Sequence, residues 1–241
     1  MRLEQLSRAA HGDLRIDPCK ASAQAANVHL VPLSRIELRQ ASRCFPLFFA
    51  KDLETGQFYP AALLGLKANE NLFWDGERFD AEYEPLNIRR LPFYIGGKDP
   101  AHGTICIDAN SAGIDPAGAK RILEDDGSDS EYIRGIQAML GALGQNHEAT
   151  RAFAREVARL GLLSEIKLDI VLDDGEAITV AGLYGIDDRT LERLLDQIAG
   201  FEDKMLCTAM MLSLDNVAAL VRRKNARSAQ LAAWQQAPAA G

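Results

Sequence analysis

Between Glu165 and Leu172 apolar side chains fall on every second position, with Ile166, Leu168, Ile170 and Leu172 alternating with Glu165, Lys167, Asp169 and Val171. Successive residues of a strand face opposite ways, so the pattern predicts a strand that buries one face. Asp173-Asp174-Gly175 turns the chain back, and Ala177 to Tyr184 completes a hairpin. Helical spacing brackets it on both sides. Glu131 to Leu143 and His147 to Leu160 predict two helices split by a Gly-Gln-Asn break, and a third follows from near Arg189 to Ala199, capped by Asp187 or Asp188. A last helix from near Glu202 to Lys224 places Leu206, Met210, Leu214, Val217 and Val221 on one stripe, the usual pattern of core filler.

The first half predicts short strands instead. Pro32 confines Val28 to Leu33 to a strand end or an edge. Ser34-Arg-Ile-Glu37 has capping-box spacing, and the helix it opens ends before Phe45-Pro46. Leu47 to Ala50 and Phe58 to Lys67 read as a hairpin about the turn from Asp52 to Gln57, with further strands at Asn71 to Trp74 and Thr104 to Asp108. The expected fold class is therefore α+β: a mainly antiparallel sheet from the N-terminal half, joined or flanked by the C-terminal hairpin and covered by helices. Residues 1–26 and the Ala/Gln-rich residues 225–241 read as flexible ends around a single domain at 27–224, a size one core can serve.

A formal net charge of −7 and a pI near 5.2 argue against a broad nucleic-acid footprint. The dense basic run, Arg222-Arg223-Lys224 with Arg227, reads as a solvated helix end. Cys19, Cys44, Cys106 and Cys207 lack metal-ligand spacing and are expected as free thiols. His11, His29, His102 and His147 are likewise too scattered to predict a metal site. The N-terminus has no signal-like apolar run, and no stretch approaches the roughly 18 apolar residues of a membrane span. Cytoplasmic residence is the expectation, with unconventional export left open.

Dinucleotide, phosphate-loop, nucleophile-elbow and zinc-protease fingerprints are all missing, so neither a catalytic residue nor a cofactor is predicted. The unusual segment runs from Asn69 to Tyr94, interleaving aromatics and amides with paired arginines. Arginine beside aromatic faces suits anionic or planar ligands. The candidate ligand-binding residues are accordingly Asn71, Trp74, Arg89 and Arg90, with Asp108 at a strand end and His29 at a strand start. The plainer alternative fills the core with the aromatics and pairs the arginines with Glu82, Glu84 or Asp108. In the same spirit, Asp108 suits an Asx turn with Asn110 and Ser111, and Glu37 a helix cap.

The ordered set His29-Leu-Val-Pro-Leu33, Cys44-Phe-Pro-Leu-Phe-Phe49, Tyr59-Pro-Ala-Ala-Leu-Leu-Gly-Leu66, Glu70-Asn-Leu-Phe-Trp74 and Ile88-Arg-Arg-Leu-Pro-Phe93 resembles the SapC family. Ile105-Cys-Ile-Asp108, Gly182-Leu-Tyr-Gly-Ile-Asp187 and Leu212-Ser-Leu-Asp-Asn216 extend the resemblance over roughly residues 11 to 224. That family is named for a bacterial surface-layer association. Its members are encoded near outer-membrane receptors, cupin-like oxygenases and flavin-dependent halogenases, so the resemblance implies an accessory role and carries over no catalytic residue. The expected function is a non-catalytic binding or accessory protein that holds a peptide, an anionic small molecule or a protein partner. Two alternatives stand beside it: an enzyme with a dispersed site of His29, Glu37, Asp108 and the arginines acting on a peptide or small metabolite, and a surface-layer-associated or self-associating homo-oligomer.

Overall fold

The computed structural model describes residues 1–97 and 99–236. Early in the chain come β1 (Leu3–Gln5), β2 (Arg15–Ile16), β3 (Leu30–Pro32), β4 (Leu47–Lys51) and β5 (Phe58–Leu63), with the short helices α1 (Arg8–His11), α2 (Pro18–Ser22) and α3 (Leu38–Ala41) between them. The middle holds α4 (Leu86–Arg89), β6 (Phe93–Gly96), β7 (Thr104–Asp108) and β8 (Lys120–Arg121). The longer elements follow: α5 (Glu131–Gln145), α6 (His147–Arg159), β9 (Leu163–Val171), β10 (Ala177–Ile186), α7 (Asp188–Leu194), α8 (Phe201–Leu212) and α9 (Asn216–Gln236).

The alternating segment pairs as β9 with β10, and β10 joins β4 through Leu183 opposite Ala50 and Tyr184 opposite Phe49. The result is one antiparallel sheet in the order β3-β5-β4-β10-β9, so the C-terminal hairpin is continuous with the strands of the first half. The fold is α+β. In β4, central to this sheet, Leu47, Phe48, Phe49 and Ala50 are all buried, which is why it reads as a plain apolar run while the edge strand β9 alternates. Helices α6 and α8 pack against this sheet, and Phe153, Val157, Leu206, Cys207 and Met210 fill the core with Phe45, Phe48 and Phe49. A smaller antiparallel sheet, β1-β7-β6, lies under α5 with its own core of Phe93, Ile107, Ile133, Ile136 and Leu140.

Several segments differ from the sequence expectation, each for a local reason. Residues 1–26, read as loose, contain β1 paired with β7, β2 paired with β8, and α2 capped by Asp17. Elements two to five residues long are too short to show a period. Asn71 to Trp74, read as a strand, is a turn: the Asn71 side chain donates to the Ala25 carbonyl (2.9 Å) and accepts from the Phe73 amide (2.9 Å), bending the chain so that Leu72 and Phe73 enter the core. The capping box at Ser34 forms, with the Ser34 amide donating to Glu37 at 2.8 Å, but it opens only a 3-10 turn (Arg35–Glu37) followed by α3.

The last helix is interrupted by a 3-10 turn at Ser213–Asp215, where the buried Ser213 hydroxyl donates to Met210 and accepts from the Leu47 amide at 2.9 Å. Beyond it α9 runs to Gln236, through much of the tail expected to be loose, while residues 237–241 lie outside the described residues. The basic run is not a solvated helix end. Arg223 pairs with Asp80 (2.8 Å) over the Phe73 ring, Lys224 with Glu70 (2.6 Å), and Arg227 donates to the Asn71 and Trp74 carbonyls, clamping α9 to the 70–80 loop. By length and composition Phe201–Trp234 meets the requirement for a membrane-crossing helix, against the expectation of no such stretch. Its Leu206, Cys207, Met210 and Leu220 are spent on the intramolecular core.

Candidate functional site

The residues singled out by sequence do not share one groove. Asn71 is buried with both ends of its amide satisfied internally. Trp74 faces the end of α9, beside Arg227, Leu231 and Trp234. The His29 carbonyl accepts from the Leu64 and Gly65 amides. Asp108 accepts from the Arg2 amide (2.7 Å) and the Asn110 amide (3.1 Å), the Asx turn that its position suggests. Arg89 lies at an open cleft with Glu84, Lys120 and Tyr132, while Arg90 turns the other way. Neither arginine has a carboxylate within ion-pairing distance among the described residues, so the simple pairing with Glu82, Glu84 or Asp108 does not occur; Glu84 instead accepts from Ser22 at 3.1 Å. His29, Glu37 and Asp108 share no hydrogen bond with one another.

Arg90 lines a cavity of about 320 Å³ between the two sheets. Its position follows from the chain around it. Pro85 opens α4, a single turn, which delivers Arg90 at its end. There Nε donates to Asn87 (2.8 Å), Nη1 donates to the Phe93 carbonyl (2.8 Å), and the guanidinium lies 4.4 Å from the centre of the Tyr94 ring. Asn87 is itself anchored to the Pro32 carbonyl at 2.8 Å. Every acceptor that Arg90 meets is neutral, and Nη2 has no protein partner among the described residues.

The opposite wall comes from α6. Thr150 accepts from the Arg35 amide (2.9 Å) and donates to Asn146 (2.8 Å), which pins the start of α6 beside the turn after β3. Arg151, one residue on, donates Nε and Nη2 to Gln57, with His147 one turn earlier. Tyr59 from β5 and Tyr94 from β6 add phenols, and Ile95, Pro100, Leu140 and Leu143 supply apolar surface. Among the described residues no carboxylate lines the cavity. Of the acids whose fields reach its residues, Asp52 is tied into its own turn by Thr55 and Glu54, Asp99 by Ala101 and His102, and Asp108 as above, while Glu148, whose field reaches Arg151 and His147, is paired with Arg155.

Burial pushes the Arg90 guanidinium below its ordinary value, with Tyr94 acting the other way, yet arginine stays charged at any physiological pH. Burial raises the Tyr94 phenol, helped by Asp108 and opposed by Arg90; burial and then Asp52 raise Tyr59. Both phenols therefore stay protonated and available as donors. The loop wall at Pro100 sits directly on Gly144 of α5, where a Cβ would overlap the Pro100 carbonyl. Gly144→Ala is thus expected to cost roughly 1–3 kcal/mol through overpacking, read by chemical denaturation. A neutral result would mean that this loop is free to lift.

The sequence profile of the SapC family matches residues 6–220. The chain belongs to the SapC family. No curated protein and no solved structure matches it. The region matched by SapC takes in both cores and every residue of the Arg90 cavity. Within this SapC chain, sequence reasoning missed Tyr59, Asn87, Tyr94, His147 and Arg151 as site residues. His147, Thr150 and Arg151 do stand at i, i+3 and i+4 on one helix, but a solvated face shows the same spacing.

Proposed function

We propose that this chain is a non-catalytic binding protein of accessory type, and that its ligand is a small anion held in the cavity around Arg90. The observation that supports this most is Arg90 itself: a half-buried guanidinium whose hydrogen bonds among the described residues go only to neutral groups, in a cavity that none of their carboxylates lines. Withdrawing a cation from water is costly unless something compensates it. A bound anion completes the arrangement, taking Arg90 Nη2 and the phenols as donors and Arg151 as a second positive charge. The cavity holds the hydroxyls of Ser34 and Thr150 and the imidazole of His147, but Thr150 donates to Asn146 and neither hydroxyl is hydrogen-bonded to His147 among the described residues, which favours binding over catalysis. SapC membership names neither a role nor a ligand.

The test uses acetate and inorganic phosphate as probes at low ionic strength, followed through the Arg90 Nε–Hε NMR resonance. Binding is expected to move that resonance saturably. Arg151→Met, which removes a charge without touching either core, is expected to weaken acetate about fivefold, the equivalent of about 1 kcal/mol for a partly exposed charge pair, with an unchanged melting temperature. If neither anion moves the resonance, or Arg151→Met binds acetate as well as the parent, the proposal fails.

A further inference from the structure

The cavity around Arg90 is two-faced, and its second face says more about the ligand. Arg90, Arg151, Tyr59 and Tyr94 are joined in the polar lining by Ser34, Asn87, His147 and Thr150, whereas Leu33, Ile95, Pro100, Leu140 and Leu143 are apolar. Leu33 and Leu140 are otherwise core residues, and Ile95 and Leu143 pack on the smaller core, so this face is a continuation of the interior rather than scattered surface. A bare hydrated anion at the arginines would leave these side chains against water. At about 320 Å³ the space lies at the small end of organic-ligand pockets.

Resting on the anion-binding proposal, we infer that the ligand is amphipathic: a carboxylate head at Arg90 and Arg151 carrying an apolar body that lies against Ile95, Leu140 and Leu143. At the head end Arg90 has committed Nε to Asn87 and one Nη1 bond to Phe93. Arg151 has likewise committed Nε and Nη2 to Gln57. What remains is three N–H groups on each guanidinium and two phenol hydroxyls, with the His147 ring and the Ser34 hydroxyl in the same lining. The free edges of two planar guanidiniums suit the two oxygens of a carboxylate, and a carboxylate leaves more of the space, about 320 Å³, to an apolar body than a phosphate does. The body is apolar because Ile95, Leu140 and Leu143, the side chains it meets, are apolar.

The experiment is a titration of the full chain with acetate, butyrate, hexanoate, octanoate and decanoate, with octanol and inorganic phosphate as comparators. Affinity is expected to rise about fourfold per methylene, the fold-change equivalent to about 0.8 kcal/mol, until the cavity is full, and then to level off. Octanol, lacking the charge, is expected to bind far more weakly than octanoate. Leu143→Ala is expected to weaken octanoate at least fourfold and leave acetate unchanged; should that variant fold poorly, the unbranched series in the parent protein decides alone. Acetate binding with no gain along the series overturns the amphipathic ligand while leaving the anion site standing. Phosphate binding tighter than octanoate, or octanol binding as tightly as octanoate, overturns the carboxylate head. If none of the carboxylates and no phosphate binds, the inference and the proposed function fall together.

Discussion

Glu37→Ala is expected to lower the melting temperature by roughly 6–12 °C, from a loss of about 3 kcal/mol at 2–4 °C per kcal/mol for a chain of this size. Glu37 is 1% exposed, and its carboxylate accepts from three donors: the Ser34 amide at 2.8 Å, the Tyr83 hydroxyl at 2.9 Å and the Leu86 amide at 2.9 Å. Through them it ties the turn after β3 to the start of α4, the element that ends in Arg90. Removing the carboxylate strands the donors in the interior, where each unsatisfied group costs on the order of 1–3 kcal/mol. Glu37→Gln keeps the volume and one acceptor but turns an amide N–H towards a donor, so an intermediate loss is expected.

The same residue sets a pH dependence. Burial raises the Glu37 carboxyl above its ordinary value of 4.5, outweighing the hydrogen bonds from Leu86, Ser34 and Tyr83 and the field of Arg89, all of which lower it. The folded protein then holds this proton more tightly than the unfolded chain does. Its contribution to stability accordingly falls as pH rises from the unfolded value through the raised folded one, and is constant beyond. Denaturation of the parent and Glu37→Gln proteins across that window is expected to show the parent losing stability with rising pH relative to the variant. A parent that instead gains would mean that the hydrogen bonds outweigh burial.

What could be read from sequence follows the range over which each feature is encoded. The β9–β10 hairpin was legible because eight alternating residues and an Asp-Asp-Gly turn state it locally. So was the capping box, whose two partners are three residues apart. Asn71 caught attention as an amide interleaved with aromatics, but its partner Ala25 lies 46 residues away and makes it a structural bridge. The basic run of α9 misled in the same way, since Glu70 and Asp80 meet it only in the folded chain. Arg90 was picked out, whereas the groups that line its cavity arrive from β5, β6, α5 and α6, separated by more than a third of the sequence. Its neighbour Arg89 has the same local signature and a different fate, because consecutive residues at the end of a helical turn point about 100° apart.

Arg90→Met is expected to weaken carboxylate binding by roughly 10–150-fold, the loss of a charge-assisted hydrogen bond of about 1.5–3 kcal/mol. The substitution also removes a staple, because Arg90 joins α4 to β6 through Asn87, the Phe93 carbonyl and the Tyr94 ring, so some stability is lost with it. Two further variants separate binding from stapling. Arg90→Lys retains the charge but cannot span both acceptors and the ring, so it is expected to recover part of the affinity and little of the stability. Tyr94→Phe keeps the ring beneath the guanidinium and deletes only the hydroxyl, so it is expected to leave the melting temperature nearly unchanged while weakening the anion severalfold. If Arg90→Met loses stability and binds octanoate like the parent, the guanidinium is a strut and the cavity has another purpose. If affinity instead tracks the charge through Met, Lys and Arg while stability tracks the staple, Arg90 serves both: the contacts that hold it to neutral partners are what keep its charge free for a ligand.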